Sequence, residues 1–283
     1  MDVAGKYERR GAAARGTVEP AQIQPPPRGL RGAGLVLYNA LYWPYLILSC
    51  IALFVPACAI YCLTFWQRPR RWLHAYTSLW GAHYLSWAPF AGVRVEGRSR
   101  ALGLGRCVYI VNHQSMVDIL AVYATRLPFL WVSKVQNFYA PFLGWNMWLN
   151  GYVPLRRGHL PSIRRMLRRS EAELRSGASL CVFPEGTRSR DGELKSFYRG
   201  AFWIAVRAGV PVVPIVVEGT QSILAKGKFG IRPRPVVVRV LEPIWPSAAA
   251  HDDRTLRDLA HARIEDELRA LRPHPATRAL DPS

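Results

Sequence analysis

The chain of 283 residues carries 38 Lys and Arg against 19 Asp and Glu, a formal net charge of +19 at pH 7, and ten Trp. Its length fits one domain with appendages and a substantial core, and its charge points to a polyanionic partner: nucleic acid, an anionic membrane or a phosphorylated substrate. No recognised nucleic-acid-binding module occurs in it and its five cysteines lack the paired spacing of a metal site, so we expect neither nucleic acid nor a bound metal.

The N-terminal part of the chain predicts a tail followed by a membrane segment. Residues 1–32 are rich in Ala, Gly, Pro and Arg without apolar periodicity, which predicts a flexible basic tail. The segment 33–67 contains no Asp, Glu, Lys, Arg or His, and a spanning helix needs only about 20 apolar residues. Pro44 and Pro56 interrupt it, and arginines flank both ends, which favours cytoplasmic placement of both. We predict a membrane anchor with the following domain facing the cytoplasm, and favour a re-entrant or shallow helical hairpin over a single span.

Beyond residue 67 the sequence alternates between strand and helix patterns. Short apolar, β-branched runs predict strands at 93–95, 107–111, 129–133, 152–155, 180–183, 212–217 and 236–240. Longer segments with helical apolar spacing predict helices at 73–90, 115–125, 139–149, 161–175, 200–208 and 254–271. Such alternation predicts an α/β fold with a mostly parallel central sheet flanked by helices, in a domain of residues 68–272. The proline-containing residues 273–283 are predicted to form a loose tail.

The first candidate site follows the predicted strand 107–111. The heptapeptide Asn112-His-Gln-Ser-Met-Val-Asp118 places a histidine and a carboxylate where a strand ends and a helix begins, and active sites of α/β folds collect there. His113 is the predicted general base, because an imidazole exchanges its proton near neutral pH. Asp118 is predicted to orient the imidazole and to stabilise its charged form. The alternative is a solvated or core histidine beside an unrelated aspartate at a helix N-terminus.

The second candidate site follows the predicted strand 180–183 and reads Phe183-Pro-Glu-Gly-Thr-Arg-Ser189. Gly186 permits a tight turn whose backbone N–H groups face an anion. Arg188 offers a guanidinium fork that matches phosphate oxygens, and Thr187 adds a hydroxyl donor. Glu185 does not bind phosphate, so we predict that it holds Arg188 or contacts a hydroxyl of the ligand. The alternative is a polar turn with a surface ion pair.

Together these motifs resemble the PlsC-type glycerophospholipid acyltransferases, the family that includes 1-acylglycerol-3-phosphate acyltransferase. The likeness runs from about Cys107 to Pro243 and includes two further blocks. The second family block, which commonly ends in Asp-Arg, is matched here by Lys134, Pro141, Gly144 and the stretch from Gly151 to Arg156-Arg157. The fourth is matched by Val212-Val-Pro-Ile-Val216 and Glu218-Gly-Thr220.

The resemblance implies a membrane-bound acyltransferase. It would move a fatty acyl group from acyl-CoA or acyl carrier protein to the hydroxyl of 1-acylglycerol 3-phosphate, giving phosphatidate, with no cofactor beyond the thioester co-substrate. Its partners would be that donor, the lysophospholipid acceptor and anionic membrane lipids. Glu185, Gly186, Thr187, Arg188 and Arg157 would bind the acceptor and its phosphate, although Arg157 also fits a solvated basic turn. Lys134 would contact the oxyanion or the donor.

Two other functions stay open. One is transfer to a different acceptor: glycerol 3-phosphate, a lyso-aminolipid or another lysophospholipid. The other is a catalytically silent, membrane-anchored lipid-binding protein, against which the intact pair of His113 and Asp118 argues.

Two side-chain groups also have alternative interpretations. A basic face of the helix 161–175 suits anionic lipid, an acidic acyl carrier or plain solvent: Arg164, Arg165, Arg168 and Arg169. An aromatic group at near-helical spacing predicts core packing first and a membrane-facing surface second: Phe138, Phe142, Trp145 and Trp148.

Overall fold

The structure is a computed structural model that describes residues 32–86, 92–224, 227, 230–232 and 234–272. The predicted basic tail, except Gly32, and the predicted C-terminal tail lie outside the described residues. Residues 87–90, the end of the helix predicted at 73–90, also lie outside the described residues.

One sheet of seven strands forms the centre of the described protein. Its strands are β1 (Val93–Glu96), β2 (Val108–Val111), β3 (Leu130–Lys134), β4 (Val153–Leu155), β5 (Leu180–Val182), β6 (Val212–Glu218) and β7 (Val236–Val240). They lie in the order β1-β7-β6-β2-β5-β3-β4, and only the β6–β7 pair is antiparallel. The predicted α/β fold with a mostly parallel sheet is therefore confirmed.

Helices cover both faces of this sheet. They are α1 (Ala33–Thr64), α2 (Arg71–Ser86), α3 (Val117–Ala124), α4 (Leu143–Asn150), α5 (Leu160–Arg175), α6 (Gly200–Ala208), α7 (Thr220–Ile223) and α8 (Asp253–Leu271). The connections from β2 to β3 through α3 and from β3 to β4 through α4 run toward the β4 end of the sheet. Those from β4 to β5 through α5 and from β5 to β6 through α6 run back toward the β1 end. Because such crossovers are right-handed, the two pairs of helices lie on opposite faces. Because α2 contacts α3 and α1 contacts α4, these helices form one layer, while α5, α6 and α8 form the other.

The strand sequences explain why the sheet is central. All four residues of β2 are buried, as are six of the seven residues of β6, and both strands are rich in Val and Ile. Strands covered on both faces by helices have this continuous apolar character. Because β2, β3, β4, β5 and β6 run in the same direction, their carboxyl ends share one edge, which we call the carboxyl edge.

Helix α4 is shorter than predicted. Residues Val135–Tyr139 form a separate 3₁₀ turn, and α4 begins only at Leu143. The break falls at Pro141 and Phe142, where the backbone of Phe142 takes a positive φ of 59° that no α-helix contains. In the aromatic group, Phe138 is buried in the core, whereas Trp145 and Trp148 are 46% and 45% exposed.

The prediction of a helical hairpin inside residues 33–67 is wrong, because α1 runs without interruption through Pro44 and Pro56. Each proline removes one helical hydrogen bond, but α1 packs against α2 and α4, and tertiary packing supplies most helix stability. A hairpin forms instead between α1 and α2. The hydroxyl of Tyr76 donates to the Leu53 carbonyl at 2.9 Å, and the hydroxyls of Ser49 and Tyr84 lie 3.0 Å apart.

Helix α1 has two different faces despite its uniform apolar composition. On the face toward the protein, Tyr42, Cys50 and Ala57 are at most 5% exposed. The opposite face presents large apolar side chains to the surroundings: Val36, Leu37, Leu41, Ile47, Leu48, Ile51 and Val55. By length and composition α1 is also long enough to cross a membrane.

Candidate active site

The predicted base and its carboxylate meet at the carboxyl edge, directly after β2. The Nδ1 atom of His113 lies 2.8 Å from Oδ2 of Asp118. Asn112, just before His113, holds the start of the turn that joins them. Its side-chain NH₂ group donates to the Val217 carbonyl at 2.8 Å, and its side-chain oxygen accepts the Val217 N–H at 2.8 Å. This double contact continues the β2–β6 ladder past the end of β2 and fixes the backbone just before His113.

The Asp118 carboxylate is fully buried and accepts four hydrogen bonds. Its Oδ2 accepts from His113 Nδ1 and from the backbone N–H groups of Gln114 at 2.7 Å and Ser115 at 2.8 Å. Its Oδ1 accepts from the hydroxyl of Thr220, which follows β6 and is also fully buried. The carboxylate acts as the acceptor in each of these contacts. Asp118 therefore keeps the proton of neutral His113 on Nδ1 and leaves Nε2 as the basic nitrogen.

Thr220 is the member of this constellation that sequence reasoning missed. It appeared only as the end of a family-like block, and it lies 102 residues from Asp118 in the chain. Parallel pairing of β2 with β6 brings the two together, because the residues after both strands share the carboxyl edge.

The His113 ring is held by stacking as well as by Asp118. Its centroid lies 3.9 Å from that of Phe183 with an interplanar angle of 16°, and Phe183 stacks in turn on Trp131 at 5.1 Å. The His113 side chain is 11% exposed. Stacking on one face and the hydrogen bond at Nδ1 fix the orientation of the ring and therefore the direction in which Nε2 points.

Glu185 ties the second motif to the first. Its Oε1 accepts the backbone N–H of His113 at 2.7 Å and its Oε2 accepts the backbone N–H of Lys195 at 3.2 Å. The second motif also contacts the carbonyl of His113, which accepts the Ser189 N–H at 2.8 Å. Glu185 therefore positions the backbone of the base, and the prediction that it holds Arg188 or contacts an acceptor hydroxyl stays a prediction. Burial raises the pKa of Glu185 to about 7, against the opposing effect of the two N–H donors.

The turn after β5 requires a glycine. Gly186 has a φ of +69°, and a Cβ atom there would lie 2.6 Å from the ring of Tyr198. Partial burial lowers the pKa of Arg157, while the nearby Tyr198 hydroxyl opposes that shift. Tyr198 thus packs against Gly186 of this turn, and its hydroxyl also acts on the charge of Arg157.

The remaining predicted residues lie along the same edge. Thr187 is exposed and Arg188 is half-buried. Lys134 ends β3, is exposed, and pairs in register with Leu155 at the end of β4. The structure thus places every predicted site residue at the carboxyl edge, with Lys134 and Arg157 toward its β3–β4 end.

The basic face of α5 divides into two parts. Arg169 donates to the Gly151 carbonyl at 2.7 Å and lies 3.7 Å from the Glu173 carboxylate, so it stabilises the fold. Arg164, Arg165 and Arg168 are exposed. They belong to the helix layer on the other side of the sheet from α1.

The stability of the protein is expected to depend on the charge of Glu185. Since its pKa is higher in the folded state than the ordinary value of 4.5, the folded protein holds the proton more tightly and stability falls as pH rises toward about 7. Relative to Glu185→Gln, the wild type should lose up to about 3 kcal/mol between about pH 5 and about pH 8. Urea unfolding of both proteins across this range measures the difference.

The matched control for that experiment is Glu193→Gln, because Glu193 is exposed and lies in the same loop. Its difference from the wild type should not change with pH. Parallel pH profiles of the wild type and Glu185→Gln would contradict the raised pKa.

The fold and site define an α/β protein with an oriented histidine–aspartate pair and an arginine-bearing glycine turn, as in acyltransferases. A family model described as Acyltransferase matches residues 92–218. The 1-acyl-sn-glycerol-3-phosphate acyltransferase of Salmonella typhimurium is 30% identical, with 78% of this chain and 89% of the relative covered. The chain belongs to the acyltransferase family.

Other relatives extend this comparison. The 1-acyl-sn-glycerol-3-phosphate acyltransferase of Chlamydomonas reinhardtii is 38% identical over 62% of this chain and 53% of its own length. The chain thus spans about half the length of the algal and plant relatives it matches. The crystal structure of the 1-acyl-sn-glycerophosphate acyltransferase PlsC from Thermotoga maritima superposes with a TM-score of 0.72 at 26% identity, covering 85% of this chain and 98% of that one.

Proposed function

We propose that the protein transfers a fatty acyl group from an acyl thioester to the hydroxyl of 1-acylglycerol 3-phosphate, giving phosphatidate. The observation that carries the proposal is the orientation of His113, whose Nδ1 is bound by buried Asp118 and whose backbone is held by Glu185 and Ser189 of the arginine-bearing turn. The named function of the relatives supports the same acceptor.

The chemistry follows from that orientation. Nε2 of His113 takes the proton of the acceptor hydroxyl as its oxygen bonds to the thioester carbonyl carbon. When the tetrahedral intermediate collapses, the carbon–sulfur bond breaks and the imidazolium returns the proton to the leaving thiolate. Asp118 stabilises the imidazolium between these steps. The donor is acyl-CoA or acyl carrier protein, since both present the same thioester.

The acceptor is held through its phosphate. Arg188 supplies the guanidinium fork, Gly186 and Thr187 supply further donors, and Arg157 supplies a second positive charge from the end of β4. Lys134, at the end of the adjacent strand, contacts the oxyanion or the donor in this scheme. No cofactor or metal takes part in this scheme.

The lipid substrates reach the site from a membrane. The outward face of α1 offers the apolar side chains, and its N-terminal half lies at the carboxyl edge, because Asn39 contacts the chain segment that follows α7. The rest of the domain then lies on the cytoplasmic side of the bilayer surface. This arrangement uses α1 as an interfacial helix, since its inner face is covered by protein.

Arg188→Ala is expected to impair use of the phosphorylated acceptor far more than use of the acyl donor. A hydrogen bond to a charged group contributes about 1.5–3 kcal/mol, so kcat/KM for 1-acylglycerol 3-phosphate should fall by about 10- to 150-fold. Arg188→Lys should restore part of this loss, because a point charge does not reproduce the fork. Steady-state kinetics with each substrate varied separately measure the effect, with thiol release as the signal.

Arg190→Ala is the matched control, since Arg190 is exposed, lies two residues further on and carries the same charge. A phosphate-free monoacylglycerol serves as the comparison acceptor. Equal losses on both acceptors after Arg188→Ala would show that Arg188 does not bind phosphate. No thiol release by the wild type with any lysophospholipid would refute the proposed function itself.

A further inference from the structure

Asn39, in the N-terminal half of helix α1, contacts the chain segment that follows α7. The side-chain amide of Asn39 donates to the Ile231 carbonyl at 3.0 Å, and its carbonyl accepts the Ile231 N–H at 2.7 Å. The Ile231 residue is itself buried at 7% exposure. Both polar groups of Asn39 are therefore used on the two backbone groups of one residue, the way a neighbouring strand would use them.

The residue bound by Asn39 is joined to the chain segment that leaves the site. The N–H of Arg232, next to Ile231, donates to the Ile223 carbonyl at 2.9 Å. Leu224 directly follows Ile223 in the chain, and its carbonyl oxygen accepts the hydroxyl of Ser115 at 2.6 Å. A backbone hydrogen bond thus connects the segment of Ile231 and Arg232 to the end of α7, where the Leu224 carbonyl accepts the hydroxyl of Ser115.

Ser115 belongs to the catalytic turn. It is fully buried, its N–H donates to Oδ2 of Asp118 at 2.8 Å, and its hydroxyl accepts the Val117 N–H at 3.2 Å. Each of these contacts constrains the backbone between His113 and Asp118. A shift of Leu224 would move the hydroxyl of Ser115 and with it the donors that orient Asp118.

The side of α1 away from Asn39 carries the exposed apolar residues. Leu37 and Leu41 are 60% and 57% exposed, whereas Asn39 is half-buried against the domain. A polar amide in a helix of this apolar character is costly unless its groups are satisfied. Membrane binding needs no asparagine at this position, so its double contact with Ile231 points to a purpose inside the protein.

We propose that Asn39 is a positioning residue that couples the seating of α1 to the geometry of the His113–Asp118 pair. The coupling runs through Ile231 and Arg232 to Leu224, and from Leu224 to Ser115. Helix α1 thereby supports catalysis through these contacts, in addition to offering a lipid-binding face. The inference rests on the proposed acyl transfer, because its kinetic readout is that reaction.

The test compares the full-length wild type with Asn39→Ala, and with Ser49→Ala as the matched control. Ser49 lies on the same helix, but its hydroxyl contacts Leu46 of α1 and Tyr84 of α2. Asn39→Ala should lower kcat by about tenfold, the effect of roughly 1.4 kcal/mol for two lost hydrogen bonds. KM for both substrates should stay within about twofold, because neither substrate-binding arginine is touched. Ser49→Ala should keep the wild-type kcat.

Two further measurements separate positioning from anchoring and from folding. Co-sedimentation with vesicles of phosphatidylethanolamine and phosphatidylglycerol should be equal for all three proteins. Amide hydrogen exchange should accelerate at Ile231 and Arg232 and at the catalytic-turn amides of Gln114 and Ser115 in Asn39→Ala, and not in Ser49→Ala. Because exchange needs no substrate, it tests the coupling even if the wild type transfers no acyl group.

Several results would overturn the inference. One is an unchanged kcat in Asn39→Ala with normal vesicle binding. A second is faster exchange at Ile231 without any change at Gln114 and Ser115. If Asn39→Ala does not fold, Ser115→Ala breaks the same connection at its other end, and normal exchange at Gln114 in that variant would equally refute the coupling.

Discussion

Replacing His113 with alanine is expected to lower the rate of acyl transfer by about 10²–10⁴-fold, the usual contribution of a general base. Neither neighbouring carboxylate replaces the imidazole as a base, because Asp118 is fully buried and both oxygens of Glu185 are bound to backbone N–H groups. Without the imidazole, the acceptor hydroxyl would have to lose its proton to water. Single-turnover thiol release at saturating acceptor measures the chemical step itself.

Folding and membrane binding should survive this substitution. The ring of His113 contributes one hydrogen bond and one stacking contact, while the backbone of the turn is held independently by Asn112 and Glu185. His251→Ala is the matched control, because His251 is exposed and precedes α8. Turnover near the wild-type rate in His113→Ala would disprove the proposed mechanism.

Replacing Asp118 with asparagine is expected to cost a similar factor, about 10²–10⁴ in kcat, even though the side chain keeps its shape. All four groups that contact the Asp118 carboxylate can donate a hydrogen bond. An amide offers one acceptor oxygen in place of two and turns its NH₂ group toward one of these donors. The neutral side chain also no longer stabilises the imidazolium, and it permits the tautomer in which Nε2 carries the proton.

The measurement is kcat with both substrates saturating, alongside the melting temperature. Asp258→Asn is the control, since Asp258 lies on α8 and is exposed. Thr220→Val should act in the same direction with a smaller loss, because it removes only one of the four donors. A kcat of Asp118→Asn within a factor of two of the wild type would show that Asp118 does not orient the base.

Much of the fold follows from local sequence patterns. The bounds of α6 and β7 match the predicted 200–208 and 236–240, and each of the other strands differs by one residue at one or both ends. Strand and helix periodicities are properties of neighbouring residues, so a single sequence records them. The pair of His113 and Asp118 is local too, since one turn of chain brings the carboxylate back to the ring.

The limits of α1 show where local pattern fails. Its residues are apolar on all sides, so no periodicity marks which side chains face the domain. Prolines at 44 and 56 suggested a break, yet packing against α2 and α4 keeps the helix continuous and moves the chain reversal beyond Thr64. Only the packed neighbours distinguish the face of Tyr42 from the exposed face of Leu41.

Local sequence patterns are enough to predict the α/β fold, the pair of His113 and Asp118, and the glycine turn with its arginine. The tertiary structure decided how these parts support one another: Thr220 on Asp118, Glu185 on the backbone of His113, and Asn39 on Ile231. These contacts join residues 102, 72 and 192 positions apart. Strand order and register set which distant residues meet, and both depend on packing summed over the whole sheet, so no local spacing of residues encodes them.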